Sequence, residues 1–219
     1  MATIASDTAV AAPPRKWDPV VRITHWSIMA AILLNALVTE DGSAAHIWVG
    51  YALAALLALR LLWGLIGPKE ARFTAFPPSP SRAIAHVKEI IAGRNTPHAS
   101  HNPLGALMVY AVWATLAVII GSGIAMAGLP GSPVQNERTM AEAPSAGALI
   151  DDDAEEEEHE ERGAAGGERG EHEEGVMEEV HEVAVNLLYG LILLHLAGVA
   201  FETRRSGRQI VLAMLGRRG

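Results

Sequence analysis

Four long blocks of apolar residues constrain the fold of this 219-residue chain more than any other feature of the sequence. They cover about residues 20–38, 44–67, 104–126 and 180–201. As an α-helix, each block is long enough to cross or nearly cross the hydrocarbon core of a bilayer, which is ~30 Å thick. Because backbone polar groups must be satisfied internally in lipid, such blocks form a helical bundle. The sequence therefore predicts an all-α integral membrane protein with a four-transmembrane-helix bundle.

The segments between these blocks predict the orientation of the bundle. Lys and Arg residues cluster at 15–22, 68–102 and 204–219, whereas the other two connections are acidic. Cytoplasmic segments carry an excess of Lys and Arg. We therefore expect a multi-pass membrane protein with both termini on the cytoplasmic side.

Two of the connecting segments have a pattern of their own. Residues 80–91 place apolar side chains at helical spacing and basic ones elsewhere, which predicts a cytoplasmic amphipathic helix at the membrane surface. Residues 151–175 are acidic, contain almost no apolar residues and dominate the net charge of −8. The predicted segments are a disordered cytoplasmic tail at 1–19, three transmembrane helices and the amphipathic helix within 20–128, an acidic disordered periplasmic loop at 129–179, the fourth transmembrane helix at 180–203 and a basic cytoplasmic tail at 204–219.

Histidines are the candidate cofactor ligands, because the chain has no cysteine. That absence excludes disulfides, iron–sulfur clusters, cysteine-bound zinc and covalently attached haem. Four histidines lie in or at the ends of the apolar blocks. The predicted topology puts His46 and His181 near the outer surface and His25 and His195 near the inner one.

Spacing within the fourth block supports this arrangement. His181 and His195 are 14 residues apart, almost four helical turns, so both lie on one helix face ~21 Å apart along the axis. Two imidazoles at each of two levels form the ligand set of two bis-histidine haems. A polar proton relay without a cofactor is the main alternative.

Arg60 and two glycines are further candidates for a cofactor site. Arg60 follows His46 by 14 residues, and so shares its helix face at the inner level. There it can pair with a haem propionate or extend its charge to the membrane rim. Gly50 and Gly190 either leave room for a flat macrocycle or only allow close helix packing.

The other five histidines lie outside the apolar blocks. We expect His86, in the amphipathic helix, and His98, in the following loop, to be solvated. His101 precedes the third block and is either an interfacial histidine or part of a propionate or quinone site. His159 and His172 lie in the acidic run, which is either a solvated charge run or a weak site for divalent metal. The run could also attract a cationic partner.

Several stretches of the sequence carry a family resemblance. They are WDPVVRITHW at 17–26, the segment 46–76 with the pattern RxxWGxxGxxxARF, HNPLGALMV at 101–109 and the double-histidine helix at 180–199. On these residues the chain resembles the prokaryotic cytochrome b561 family, which includes the b-type cytochrome subunits of Ni/Fe-hydrogenases. The acidic connection at 151–175 has no counterpart in the family pattern.

The resemblance implies a four-helix bundle with two non-covalent haems b, ligated at positions that match His25, His46, His181 and His195. It also implies electron exchange with the quinone pool. The predicted function is that of a di-haem b-type cytochrome that carries electrons across the membrane, as an electron-transfer protein or a subunit of a quinone-linked oxidoreductase of a respiratory chain. The expected partners are membrane lipid, quinone or quinol, a periplasmic cytochrome c or a dehydrogenase or hydrogenase, and further copies of the chain, without nucleic acid. The alternative is a non-redox membrane scaffold or metal-handling protein whose acidic loop binds cations or a basic partner.

Overall fold

The computed structural model describes residues 18–92, 103–132, 164–206, 212 and 214–215, and within these ranges all regular structure is helical. Two single-turn 3₁₀ helices, Lys69–Ala71 and Phe73–Ala75, follow the second long helix. The α-helices are α1 (Pro19–Leu37), α2 (Ala44–Ile66), α3 (Pro80–Ile91), α4 (Pro103–Ala127) and α5 (Ala164–Ser206).

Four helices are long and apolar enough to cross a membrane. They are α1, α2, α4 and the part of α5 from Gly175 to Arg205. This confirms the predicted all-α fold class with four membrane-spanning helices. The cytoplasmic placement of both termini stays a prediction.

The last helix differs from the sequence expectation at its first half. Residues 129–179 were expected to be a disordered loop, but α5 begins at Ala164, well before the predicted start at residue 180. Adding residues to an existing helix costs far less than starting one, and the Ala and Glu residues here are good helix formers that offset the glycines. The apolar span thus continues as a helix beyond membrane length. Residues 133–163, the rest of the predicted loop, lie outside the described part of the chain.

Side-chain caps set where the first two helices begin. Asp18 Oδ1 accepts a hydrogen bond from the Val21 amide at 3.1 Å, and Ser43 Oγ accepts one from the His46 amide at 3.2 Å. Asp18 Oδ1 also accepts from Trp63 Nε1 at 3.0 Å. This contact ties the start of α1 to the end of α2.

The apolar core lies at mid-height of the bundle, between the levels of the four histidines. On α5, the buried residues Ala184 and Leu188 fall between His181 and His195. All four spanning helices contribute to the core, through Ala31, Leu53, Leu57, Leu116, Ile119, Ala184 and Leu188. An apolar layer therefore separates the two histidine levels.

The glycine and aromatic residues of the 60–73 pattern have a packing role after α2. A Cβ on Gly64 would overlap the ring of Phe73, so only glycine lets the chain fold back so closely. Arg72 Nε then donates to the Gly67 carbonyl at 2.7 Å. The Phe73 ring packs edge-on against Trp113 of α4, with ring centroids 5.6 Å apart. This segment thus joins the end of α2 to α4.

Candidate functional site

Two pairs of histidine rings face each other across the bundle. His25 of α1 lies beside His195 of α5, with ring centroids 6.3 Å apart and planes inclined at 46°. His46 of α2 lies beside His181 of α5, also at 6.3 Å, with planes inclined at 58°. These are the pairs that the predicted topology puts at one level. Their binding of iron stays a prediction.

The ring separation is the length that a shared metal ion requires. With ring bonds of about 1.33 Å, an imidazole nitrogen lies about 1.1 Å from its ring centroid. A metal–imidazole bond is about 2.0–2.1 Å, so two rings on opposite sides of one ion have centroids about 6.3 Å apart. A direct hydrogen bond between ring nitrogens, at about 3.0 Å, would bring the centroids to about 5.2 Å. Both pairs therefore fit a haem iron between them better than a direct contact.

The two histidines of each pair also suit a metal ion whose remaining ligands come from a cofactor. Within the described ranges, no group of three or more His, Asp or Glu side chains could hold a metal ion. Two imidazoles alone do not complete the four-coordinate shell of a bare structural metal. They do complete the axial positions of an iron already held by a macrocycle.

The His46–His181 pair has a hydroxyl group beside the Nδ1 atom of each ring. Ser122 Oγ lies 3.0 Å from His181 Nδ1, and Thr39 Oγ1 lies 3.5 Å from His46 Nδ1. Asn35 Nδ2 donates to the His46 carbonyl at 3.2 Å. Partners of this kind orient an imidazole and leave Nε2 for a metal.

The His25–His195 pair has a different environment. His25 Nδ1 is buried and has no hydrogen-bond partner among the described residues. The indole ring of Trp26 lies 5.6 Å from the His25 ring. Arg60 is close enough to interact electrostatically with His25. This level therefore combines a cation with aromatic side chains instead of hydroxyl groups.

Arg60 is buried, with 6% of its surface exposed. Its guanidinium carbon lies 5.0 Å from the centroid of the Trp113 ring. Its Nη1, like Arg22 Nε, has no hydrogen-bond partner among the described residues. An arginine that extends to the membrane rim keeps its charge in water, so this burial disfavours that alternative. A buried cation with an unused donor is suited to bind an anionic group.

The two glycines singled out in the sequence do not serve close packing. A Cβ on Gly50 or on Gly190 would meet no atom within 4 Å. The helix-packing alternative therefore has no support at either position. Gly123 was not singled out, yet a Cβ there would lie 3.4 Å from His181 Cε1. Together with Ser122, it could have been found as a polar and small pair inside an apolar span.

The remaining histidines lie away from the two pairs or outside the described residues. The expectation that His86 is solvated is wrong: it is 5% exposed, because it lies on the face of α3 that packs against α4. Its Nδ1 is 3.8 Å from Glu89 Oε2. His98, His101 and His159 lie outside the described part of the chain, and His172 lies on the extended first part of α5.

A comparison with protein families matches nearly the whole chain. A family model described as prokaryotic cytochrome b561 matches residues 16–217. No curated protein and no solved structure matches the chain. The matched region includes all four spanning helices and both histidine pairs.

Proposed function

Because the chain belongs to the prokaryotic cytochrome b561 family and is thus a multi-pass membrane cytochrome with b-type haem, we propose that it holds two haems b and carries electrons across the membrane between them. His46 and His181 would hold the iron of one haem, and His25 and His195 that of the other. The observation that carries this proposal is the ring separation of 6.3 Å in both pairs. Haem supplies reversible one-electron chemistry at each level.

The arrangement of ligands suits electron transfer rather than bond-making catalysis. Two histidines would hold each haem iron, which would leave no ligand position for a substrate and would supply one-electron chemistry only. α5 supplies one ligand to each haem, at His181 and His195, while α1 and α2 each supply one. The register of α5 therefore determines both sites, and the apolar core layer between them keeps water out of the path.

Arg60 binds a propionate of the haem at the His25–His195 level. The support for this role is its burial beside Trp113 and the Nη1 donor that no described side chain uses. A guanidinium fork matches a carboxylate in shape and charge. Arg22 lies one helical turn before His25, and its Nε has no partner among the described residues, so it is a second donor at the same level.

The partners of electron exchange follow from the placement in the membrane. We expect the protein to lie in the bacterial inner membrane with cytoplasmic termini, to exchange electrons with quinone or quinol, and to serve a periplasmic cytochrome c, dehydrogenase or hydrogenase. The acidic segment at residues 151–175 attracts a basic partner at the periplasmic side. The haem content of the purified protein separates this proposal from the non-redox alternative, a membrane scaffold or metal-handling protein whose acidic loop binds cations or a basic partner.

Haem content and single histidine variants test the proposal. The purified full-length protein should show a b-type α-band in its reduced-minus-oxidised spectrum and two haems per chain by haemochrome assay. His46→Ala and His181→Ala should lose the same haem, and His25→Ala and His195→Ala the other. His86→Ala is the matched control and should keep both. Fewer than two haems per chain in the unmodified protein, or loss of the same haem in His46→Ala and His195→Ala, would overturn the proposal.

A further inference from the structure

Ser122 makes three close polar contacts from one hydroxyl group inside the bundle. The residue lies on α4 and is 5% exposed. Its Oγ is 2.9 Å from the Val118 carbonyl oxygen, 3.1 Å from the Ile119 carbonyl oxygen and 3.0 Å from His181 Nδ1. All three partners are within hydrogen-bond distance.

Proton counting indicates the direction of the hydrogen bond between Ser122 and His181. A hydroxyl has a single proton to donate, and a backbone carbonyl can only accept. The proton of Ser122 therefore goes to the carbonyl of Val118 or Ile119, and its oxygen is left to accept. The remaining partner, His181 Nδ1, then donates, because the opposite direction would leave Ser122 Oγ 2.9 and 3.1 Å from two carbonyl oxygens with no proton between them. His181 thus carries its proton on Nδ1 and has a free lone pair on Nε2, the form in which a neutral imidazole ligates a metal through Nε2.

The residue after Ser122 brings the α4 backbone close to the same ring. A Cβ on Gly123 would lie 3.4 Å from His181 Cε1 and 3.7 Å from Nδ1. The ring edge is therefore held between the hydroxyl of one residue and the bare backbone of the next. Among the described residues, His25 Nδ1 has no such partner. The two histidine levels are thus built differently at this point.

We propose that Ser122 is a positioning residue that fixes the tautomer and ring orientation of His181 and thereby lowers the reduction potential of the haem at the His46–His181 level. This proposal rests on the proposed function. A ring nitrogen that donates to an acceptor makes the opposite nitrogen a stronger electron donor. Stronger donation to the iron stabilises the oxidised haem, so losing the acceptor should raise the midpoint potential.

Redox titration of the full-length haem-loaded protein tests the role. In Ser122→Ala we expect one of the two midpoint potentials to rise, changing the oxidised-to-reduced ratio at fixed potential at least threefold, or about 28 mV at 59 mV per decade. The other midpoint should not move. Ser122→Thr keeps the hydroxyl and should restore the original value. Thr115→Val is the matched control, because Thr115 lies two turns earlier on α4 and donates to the Ala111 carbonyl at 2.9 Å.

Two further readouts separate positioning from general packing. The haem whose potential moves in Ser122→Ala must be the one that is lost in His46→Ala, and its low-spin ferric resonance should change as the ring reorients. An equal shift of both midpoints, or an Ser122→Thr variant that behaves like Ser122→Ala, would overturn the proposal. If Ser122→Ala does not assemble, Ser122→Cys provides the same test with a weak sulfur acceptor of similar size.

The same experiment distinguishes this inference from the proposed function. Two haems per chain with unchanged midpoints in Ser122→Ala would refute the role of Ser122 and leave the di-haem function intact. Fewer than two haems in the unmodified protein would refute the function itself.

Discussion

At the level of His46 and His181, hydroxyl groups lie beside both imidazoles, whereas at the level of His25 and His195 the neighbours are cationic and aromatic. Ser122 contacts His181 at 3.0 Å, and the exposed carboxylate of Asp41 lies 3.8 Å from His46 Nδ1. The ring separation is nevertheless 6.3 Å at both levels. The same ligand geometry is thus set in two electrostatic environments.

This difference has a consequence for the relative potentials of the two haems. Reducing a haem adds an electron, so a nearby cation such as Arg60 favours the reduced state, and nearby acceptors and carboxylates favour the oxidised state. We therefore expect the haem at the His25–His195 level to have the higher midpoint potential. Electron transfer from the His46–His181 level towards it would then be favourable.

The largest effect should come from changing the register of α5 between the two levels. Ala184 and Leu188 anchor the middle of this helix in the apolar core. One extra residue between Ile192 and Leu193 would rotate His195 by about 100° relative to that anchor and shift it by about 1.5 Å. We expect the haem at the His25–His195 level to be lost. A second variant, with one residue inserted between Glu182 and Val183, should instead lose the haem at the His46–His181 level.

Haem content and spectra check this prediction. An alanine inserted between Gly175 and Val176, before His181, is the control, since it leaves the register between the two ligands unchanged and should keep both haems. A variant with an insertion between the ligands that still holds two haems would refute the shared role of α5.

Gly64→Ala should disturb one level more than the other. The added Cβ would overlap the Phe73 ring, which packs against Trp113, the side chain beneath Arg60. Overpacking of this kind costs about 1–3 kcal/mol. We expect a lower thermal midpoint and earlier haem loss from the His25–His195 level. Gly121→Ala, at an exposed position of α4, is the matched control, because its Cβ would meet no atom of the described residues within 4 Å. Equal destabilisation by both variants would contradict the prediction.

Sequence periodicity and length were sufficient for the four spans, since apolar blocks of this length have one stable form in a bilayer. The pairing of His25 with His195 and of His46 with His181 could also be predicted, because chain direction alternates from span to span. What the sequence did not predict was the part that depends on side-chain rotation. In the sequence, Ser122 and Thr39 do not differ from other polar residues. Their contacts with His181 and His46 depend on the packing of α4 and on the turn between α1 and α2.

Two errors have the same physical origin. The burial of His86 depends on which face of α3 packs against α4, and the spacing of apolar residues on that helix did not reveal it. The early start of α5 depends on propagation from a stable helix into a segment that could not fold alone. The first depends on a tertiary contact between α3 and α4, and the second on the stable helical span that follows the segment in the sequence. In each case the neighbouring element, and not the residue itself, decides the structure.

Removing the charge of Arg60 should reduce the difference between the two midpoint potentials. Arg60→Gln keeps hydrogen-bonding capacity but loses the cation, so the haem at the His25–His195 level should fall in potential. Only an interaction that differs between the oxidised and the reduced haem moves the potential. One unit charge at a separation of about 10 Å and an effective dielectric constant of about 20 contributes about 1.7 kcal/mol, so the shift should be on the order of 70 mV at 59 mV per 1.4 kcal/mol. Arg60→Lys keeps the charge and should shift the potential less. Redox titration resolves the two haems, and a shift confined to the other haem would contradict the assignment.

The smallest effect should come from Asp41→Asn at the other level. Asp41 is almost fully exposed, and its Oδ1 lies 3.8 Å from His46 Nδ1. Exposed charge pairs contribute about 0–1 kcal/mol and weaken as salt is added. The variant should therefore raise the midpoint potential of the His46–His181 haem slightly at low ionic strength, and the rise should vanish at high salt. Glu40→Gln, one residue earlier in the same turn, is the control for a general change of surface charge.

Because Ser122 is buried and Asp41 is not, the two variants should differ in the salt dependence of their midpoint shifts. A salt-dependent shift in Asp41→Asn together with a salt-independent shift in Ser122→Ala would separate the two contributions. Equal salt dependence of both shifts would mean that the whole level responds to surface charge and that the buried hydroxyl has no distinct role.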